Sequence, residues 1–279
     1  MRVRRVAAAA AVLAAGALTL PVAAQAQSSG GPNAVGLYSA GTKLVRFDTD
    51  RPSWGQRLGS IRGLSGDTAL VGIDRRVQNG KLYGVGNKGG IYTISARTAK
   101  ANKVGQLTVA LSGTEFGVDF NPAANALRIV SNTGQNLRQP FGTTEGPTVA
   151  TVADGTLNYM AVTATGVSAA AYTNNDLNAD TATTLFDIDT KLDQVAVQSP
   201  ANAGSLAPTG KLGVDVGSRA GFDIYSTLEK GKSVSSTGFA VLSTRGTYAL
   251  YSVDLLTGDV DREGKFANSV TDIAVDLDS

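Results

Sequence analysis

The sequence predicts an all-β protein, a β-propeller of five four-stranded blades closed by pairing of the C-terminal strand with the N-terminal blade. Three observations predict this fold. A hairpin pattern repeats along the chain, short strands of alternating apolar and polar residues are separated by asparagine and glycine turns, and no long amphipathic helix pattern occurs. The repeats are spaced by roughly 45–57 residues, which is the length of a four-stranded propeller blade.

The clearest repeat joins two hairpins. A shift of about 45 residues places Gly72-Ile73-Asp74 on Gly117-Val118-Asp119 without a gap. The same shift aligns the runs LYGVGNKGGIYTI and LRIVSNTGQNLRQ, each of which consists of a strand, an Asn-x-Gly turn and a second strand. Asparagine and glycine tolerate the positive φ angles of tight turns. The two runs are therefore predicted to be the same hairpin in neighbouring blades.

Five inner strands follow from such patterns. They are predicted near residues 70–74, 116–120, 166–172, 212–216 and 270–276. The chain starts with a strand at 35–38 and ends with an inner strand, so its last strand is expected to complete the first blade and leave no open sheet edge. An open β-sandwich is the alternative, because it shares the many short strands. Six blades result if the interval 216–270 contains another unit.

The first 26 residues have the pattern of a signal peptide. Arg2, Arg4 and Arg5 precede an apolar run of 15 residues, and Ala24-Gln25-Ala26 supplies the small-x-small cleavage pattern. A bilayer span needs about 20 apolar residues, so the run is short for a membrane anchor. We expect an exported protein, periplasmic or extracellular, with a flexible tail at 27–33 and a single domain at 34–279.

Charge and composition exclude several classes of function. The chain has 25 basic and 23 acidic residues, and removing a leader with three arginines and no acid leaves 22 against 23. A nearly neutral chain lacks the basic surface that binds phosphate, so no nucleic acid partner is expected. No second stretch is long and apolar enough to span a membrane. The lack of His and Cys excludes a Ser-His-Asp triad, thiol catalysis and thiolate zinc sites.

The stretch FGVDFNPAANALRIVSNTGQNLR at 116–138 resembles the hallmark of a bacterial exported family, domain of unknown function 4394. The runs AAAYTNN at 169–175, TTLFDIDT at 183–190 and QSPANAGSL at 198–206, followed by LGVD at 212–215, are similar to further parts of the same pattern. After Arg138 the chain has Gln-Pro-Phe-Gly where the family has a more polar turn. The resemblance covers essentially the whole chain beyond the leader. It implies a propeller-like exported protein and no catalytic residue, because the family has no established activity.

The repeated inner-strand aspartates are the first candidate site. Asp74, Asp119, Asp215 and Asp276 are predicted at one register and are expected to line the central channel. Clustered acids bind a cation, or one of them has a raised pKa, which is how glycosidases obtain an acid and a base. The alternative is that each aspartate caps a turn that recurs because the blade recurs.

A second candidate is a calcium site. Asp176, Asn178 and Asp180 have the 1-3-5 spacing of an oxygen-rich loop, and Asp187 stands at position 12. Thr181 occupies the position at which calcium loops have glycine, and no helix follows. The alternative is a blade hairpin whose side chains bond their own backbone.

A third candidate is a polar binding edge formed by Gln135, Asn136, Arg128 and Arg138. The two arginines could bind a carboxylate bidentately. The competing interpretation is that they form hydrogen bonds between blades.

These observations favour a monomeric, non-catalytic binding scaffold that presents loops to a protein or envelope partner. No cofactor is expected unless the calcium loop is occupied. The alternative function is a cation-dependent hydrolase of a sugar or lactone that uses the channel carboxylates. A purely structural role in a surface layer or matrix is the third candidate function.

Overall fold

The computed structural model describes residues 30–278, which form five four-stranded antiparallel sheets and one two-stranded hairpin. Blade 1 consists, from the inside outward, of β22 (Val270–Val275), β1 (Asn33–Tyr38), β2 (Lys43–Asp48) and β3 (Gln56–Ser60). Blade 2 consists of β4 (Leu70–Arg76), β5 (Lys81–Gly86), β6 (Gly90–Ile94) and β7 (Ala101–Gln106). Blade 3 consists of β8 (Phe116–Asn121), β9 (Ala126–Ser131), β10 (Asn136–Pro140) and β11 (Val152–Ala153).

The remaining strands complete the ring. A short hairpin of β12 (Asn158–Tyr159) and β13 (Val162–Thr163) follows blade 3. Blade 4 consists of β14 (Val167–Tyr172), β15 (Leu185–Asp189), β16 (Gln194–Gln198) and β17 (Leu206–Lys211). Blade 5 consists of β18 (Ala220–Glu229), β19 (Lys232–Thr244), β20 (Thr247–Val253) and β21 (Val260–Lys265). The only helical segments among the described residues are two 3₁₀ turns at Pro52–Trp54 and Ala201–Ala203.

The five inner strands β22, β4, β8, β14 and β18 pack side by side around a central channel. Each packs against the inner strands of both neighbouring blades, so the sheets form a closed ring. The prediction of a five-bladed propeller is therefore confirmed, and the sandwich and six-bladed alternatives are wrong.

Closure of the ring depends on the two ends of the described chain. β1 pairs antiparallel with β22, with Val35 opposite Ala274, and with β2 on its other side. The backbone N–H of Asp276 also donates to the carbonyl of Asn33, 2.7 Å away. The predicted pairing of the C-terminal strand with the N-terminal blade is confirmed.

The apolar core is divided among the blade interfaces. The described chain has five clusters of buried apolar side chains, each between two neighbouring blades. Between blades 2 and 3, the rings of Tyr83, Phe120 and Phe141 pack edge to face with centroids 5.1–5.7 Å apart. A strand that is buried on both faces can supply two such clusters, which explains why the inner strands are almost continuously apolar.

The repeated hairpin predicted from the sequence is present in blades 2 and 3. Gly89 and Gly134 occupy equivalent turns with φ of +82° and +86°. The preceding asparagines have the same partners in both copies. Asn87 Oδ1 accepts from Thr68 N, and Asn132 Oδ1 accepts from Thr114 N, each at 3.0 Å. The turn asparagine therefore holds the loop that leads into the inner strand of its own blade.

One predicted inner strand is wrong. Residues 212–216 lie in the loop between β17 and β18, where Gly213 has φ of +71° and Asp215 is exposed. The inner strand of blade 5 is β18, which carries its own Gly-apolar-Asp sequence at Gly221-Phe222-Asp223. The same tripeptide pattern thus occurs at 213–215 and again at 221–223, and only the second copy pairs with β19.

The predicted signal peptide at 1–26 lies outside the described residues, as do residues 27–29 of the predicted tail. The tail's last residues are bonded to the β2–β3 turn. Gly31 N donates to Asp50 Oδ2 at 2.6 Å, Thr49 N donates to Pro32 O, and Asn33 already belongs to β1. Within residues 30–278, no helix has the length and apolar character needed to cross a bilayer.

Candidate functional site

Four aspartates on inner strands link neighbouring blades. Each is buried, and each has a carboxylate oxygen that accepts a hydrogen bond from a backbone N–H on the next inner strand of the ring. The pairs are Asp272 with Ile73 N at 2.8 Å, Asp74 with Phe120 N at 2.7 Å, Asp119 with Tyr172 N at 3.0 Å, and Asp223 with Val275 N at 2.6 Å. These bonds join blades 1 to 2, 2 to 3, 3 to 4 and 5 to 1.

Blade 4 lacks the aspartate. Tyr172 donates its N–H to the preceding blade as Phe120 does, so Ala171 stands where β8 has Asp119. The junction to blade 5 is made by Asn175 instead. Its Nδ2 donates to Ile224 O at 2.9 Å, and its N–H donates to Ser226 Oγ at 3.0 Å. The ring of aspartates is therefore interrupted at one of five positions.

Three of these carboxylates meet in the channel. Asp74, Asp119 and Asp223 each offer an oxygen, and the three oxygens lie within 4.8 Å of one another. Burial, followed by the charge of Asp223, raises the pKa of Asp74 well above its usual value. Burial and the charge of Asp74 do the same to the pKa of Asp119. Burial raises the pKa of Asp272 as well.

The pKa of Asp223 is subject to effects in both directions. Burial raises its pKa from 3.8 to about 6, while hydrogen bonds from Val275 N and Ile224 N and the charge of Arg75 pull it back. A compact group of buried acids can hold shared protons or a cation, because either one reduces the repulsion between the carboxylates. Within the described residues, this trio is the acidic group close enough to hold a metal ion.

The structure brings together only two of the four aspartates predicted to line the channel, Asp74 and Asp119. Asp215 is exposed in the loop before β18. Asp276 follows β22 and forms ion pairs with Arg46 of blade 1, at 3.1 Å, and with Arg75 of blade 2. The prediction failed for these two because the register of the Gly-x-Asp pattern differs between blades. Asp223 and Asp272 take the channel positions.

The predicted polar binding edge is part of a blade interface. Arg128 is 2% exposed and donates to Asn136 Oδ1, Asp154 Oδ2 and Asn202 Oδ1, each at 2.8 Å, and to the Tyr172 hydroxyl at 3.3 Å. These partners come from blade 3, from the segment after it and from blade 4. Every partner is part of the chain itself, so the guanidinium joins blades 3 and 4.

The two other members of the predicted edge are also bonded within the chain. Arg138 donates from Nε and Nη2 to the two oxygens of Asp154, at 3.0 and 3.1 Å. Gln135 accepts from Ser112 N and donates to Ala110 O, which attaches the loop before blade 3. Arg128 therefore bonds between blades, as the competing interpretation expects, whereas Arg138 and Gln135 bond blade 3 and the loop before it.

The predicted calcium loop bonds its own backbone. Asp176 Oδ1 accepts from Asn178 N at 2.8 Å, and Asn178 Oδ1 accepts from Asp180 N at 2.9 Å. The second oxygen of Asp176 accepts from Ser233 N of blade 5 at 2.8 Å. These bonds turn the oxygens toward N–H donors of the loop and of the next blade.

Asp187, the fourth predicted calcium ligand, lies apart from this loop. It is fully buried on β15, and neither carboxylate oxygen has a hydrogen-bond partner within the described chain. Burial raises its pKa well above the usual value, and the charge of Arg128, on the side of blade 3, lowers it in part. Asp176 contacts blade 5, so the structure places the two carboxylates on different sides of blade 4.

A second feature of the channel was not predicted. Where the inner strands begin, Arg219 forms a bidentate ion pair with Glu115, with Nη2 3.0 Å from Oε1 and Nε bonded to Oε2. Glu115 precedes β8 and Arg219 precedes β18, with blade 4 between them. The pair therefore connects two blades that are not neighbours. The hydrogen bond that Arg219 donates to Glu115, opposed by burial, raises the pKa of Arg219.

This ion pair borders a cavity of about 220 Å³ at the channel mouth. Residues from four of the five blades and their loops line the cavity: Ala40, Gly41, Ala69, Leu70, Val71, Asn87, Thr114, Glu115, Phe116, Arg219, Ala220 and Thr271. The aspartate trio lies three or four residues further along each strand, roughly 10 Å deeper at 3.3 Å per residue. The sequence signal for the pair is a charged residue two positions before a Gly-apolar-Asp sequence, in Glu115-Phe116-Gly117 and Arg219-Ala220-Gly221.

Fold and channel together define a five-bladed β-propeller. The family model for a domain of unknown function, DUF4394, matches residues 43–274, and the chain belongs to this family. The resemblance at 116–138 and the three later segments is thereby confirmed.

Several solved structures are distantly similar to the chain. The chain is similar to the Dos1 propeller at 12% identity and a TM-score of 0.40, covering 80% of this chain and 56% of that one. It is also similar to a protein from Lactobacillus plantarum, at 17% identity and a TM-score of 0.38, covering 85% and 67%. An auxiliary nutrient binding protein from Bacteroides ovatus is similar at 14% identity and a TM-score of 0.42, covering 82% and 57%. No curated protein matches the chain at a significant level.

Proposed function

We propose that this propeller is a non-catalytic binding scaffold that works outside the cytoplasm as a monomer, with a protein or envelope component as its partner. One observation carries the proposal. Each of the four channel aspartates is buried and accepts a backbone N–H from a neighbouring blade, so these acids serve the ring itself. A general acid or base must come within hydrogen-bond reach of its substrate.

Composition supports the same proposal. The chain has no His and no Cys, so Ser, Thr and Tyr hydroxyls lack a histidine base. The carboxylate that lines the cavity at the channel mouth, Glu115, is bound to Arg219. Location outside the cytoplasm rests on the sequence pattern of residues 1–26.

The alternative, a cation-dependent hydrolase of a sugar or lactone, is favoured by the closeness of Asp74, Asp119 and Asp223. It requires a substrate to reach carboxyl groups that are at most 5% exposed. Catalysis at these acids would also remove the acceptors that join the blades. The scaffold proposal avoids both requirements.

The first test measures substrate turnover and the effect of calcium on the melting temperature. A panel of nitrophenyl glycosides and lactones is incubated with the protein, with and without 5 mM calcium, beside the Asp119→Asn variant. We expect equal background rates for both proteins and no calcium-dependent rise in melting temperature, since a ligand that binds only the folded state raises it. Turnover that disappears in Asp119→Asn would overturn the proposal.

Location is tested with a C-terminal tag and cell fractionation. The full chain should be found in the periplasm or medium, and a variant lacking residues 2–26 should stay in the cytoplasm. Retention of the full chain in the cytoplasm would contradict the extracytoplasmic part of the proposal.

A further inference from the structure

Arg219 has an unused hydrogen-bonding edge at the channel mouth. A guanidinium carries five N–H donors in a planar fork. Nε and one N–H of Nη2 hold Glu115, whereas Nη1 makes no hydrogen bond within the described residues. The side chain is 37% exposed and lines the cavity. The edge formed by Nη1 and the second N–H of Nη2 therefore remains available for a second acceptor.

The other polar groups around the cavity already have partners. Asn87 exchanges hydrogen bonds with Thr68, and Thr114 accepts from Asn132 Nδ2 at 2.9 Å. Thr271 donates to Leu37 O at 3.2 Å. The guanidinium is thus the cationic group in the cavity wall, and it has donors to spare.

Apolar side chains form part of the remaining wall. Leu70, Val71, Phe116 and Ala220 contribute aliphatic and aromatic surface beside the ion pair. A pocket that combines an oriented charged group with apolar surface suits small ligands that have a charged head and a short apolar body. The cavity volume of about 220 Å³ limits that body to a few carbon atoms.

Glu115 prepares Arg219 for such a ligand. An arginine that is free in solution loses rotamer entropy when it binds, which weakens the complex. Here the side chain is already fixed by a bidentate ion pair to another blade. A planar carboxylate matches the free N–H edge in geometry.

We propose that the channel mouth binds a small carboxylate, held end-on by Nη1 and Nη2 of Arg219, with its short apolar body against Leu70 and Val71. Glu115 is a positioning residue in this site. The inference deepens the proposed binding function by naming a ligand class. The carboxylate belongs to a small organic acid or to the C-terminus of a short peptide.

Calorimetric titration tests the site with sodium butyrate and its uncharged analogue butyramide. N-acetyl-Ala-Ala and the corresponding amide form the second pair, which distinguishes a peptide terminus from a small acid. At least one carboxylate should bind 10-fold or more tightly than its amide, because hydrogen bonds to a charged group are lost in the amide.

Variants place the binding at Arg219. Arg219→Gln should weaken carboxylate binding roughly 10- to 100-fold. Arg219→Lys keeps the charge and a partner for Glu115 but lacks the planar fork, so it should weaken binding by a smaller factor. Arg245→Gln, an exposed arginine in the β19–β20 turn, is the matched control and should bind as the wild type does.

If the melting curve of Arg219→Gln shows that it does not fold, the carboxylate affinity of Arg219→Lys tests the site in its place. Failure of both carboxylates to bind the wild type, or equal affinity in a folded Arg219 variant, would overturn the site. Hydrolytic turnover would overturn the scaffold proposal while leaving this binding result unaffected, so the two failures are distinguishable.

Discussion

Asp74 Oδ2 accepts the backbone N–H of Phe120 at 2.7 Å, which joins the inner strands of blades 2 and 3. Three further aspartates make the same kind of bond around the ring. The inner strands of neighbouring blades belong to different sheets, so these side chains supply polar links between inner strands that the apolar clusters cannot provide.

Replacing Asp74 separates its role as an acceptor from its charge. Asp74→Ala leaves the Phe120 N–H buried without a partner and should lower the free energy of unfolding by about 1–3 kcal/mol. Asp74→Asn keeps an acceptor oxygen and relieves repulsion from Asp223, so it should lower the free energy of unfolding clearly less than Asp74→Ala does. Urea unfolding at pH 7 measures both. Asp215→Ala, an exposed site, is the control and should change stability by less than about 0.5 kcal/mol. Equal losses in both Asp74 variants would contradict the acceptor role.

Stability should depend on pH through Asp223. Its pKa is about 6 in the folded protein against 3.8 ordinarily, so between these values the folded state holds a proton that the unfolded chain releases. The stabilising contribution is complete below pH 4 and is lost as the pH rises through 6, amounting to about 3 kcal/mol.

The Asp223→Asn variant isolates this effect. Asparagine does not titrate, but its amide nitrogen cannot accept one of the two N–H bonds, so the variant should be less stable than the wild type at pH 4. Its deficit should shrink as the pH rises from 4 to 8 in thermal unfolding. A deficit that is constant over this range would show that Asp223 does not titrate there.

Arg128 should be among the most sensitive positions in the chain. Arg128→Gln leaves Asp154 without its buried arginine partner and removes bonds to Asn136 and Asn202, so the free energy of unfolding should fall by about 3–5 kcal/mol. Arg138→Gln is the matched control. That side chain is 29% exposed and Asp154 keeps Arg128, so the loss should be about 1 kcal/mol or less. Similar unfolding midpoints for the two variants would argue against Arg128 as the link between blades 3 and 4.

Asp276 should contribute modestly to ring closure. Its carboxylate pairs with Arg46 of blade 1 and Arg75 of blade 2, and all three side chains are partly exposed. Asp276→Asn should therefore cost about 0.5–1 kcal/mol, and 1 M salt should reduce the difference from the wild type. Asp261→Asn on β21 is the control, since Asp261 forms no ion pair in the described chain. A loss of stability that does not depend on salt would indicate that Asp276 acts through packing and not through its charge.

Local patterns explain why so much of the fold could be predicted. Asn87 and Asn132 stand in equivalent turns, and each turn sequence specifies its hairpin within a few residues. The spacing of these hairpins along the chain predicts the number of blades. A first strand with no inner neighbour in the sequence predicts that the last strand of the chain closes the ring.

The site was harder to predict because its residues meet only through the ring. Glu115 and Arg219 lie 104 residues apart in the sequence, and nothing local indicates that they pair. Asp223 was missed because Gly213-Val214-Asp215 has the same tripeptide pattern closer to the expected period. The long connection at 173–184 between β14 and β15 lengthens blade 4, so a fixed period places the inner strand of blade 5, β18, too early.

The pairing of β1 with β22 has a consequence for biosynthesis. A nascent chain that has emerged only as far as blade 4 has no partner for the inward edge of β1, whose N–H and C=O groups stay open to pairing with other molecules. The ribosome must deliver residues 270–275 before this edge is covered. Stalled or proteolysed forms that lack those six residues should consequently associate with one another or with chaperones far more readily than the finished protein does.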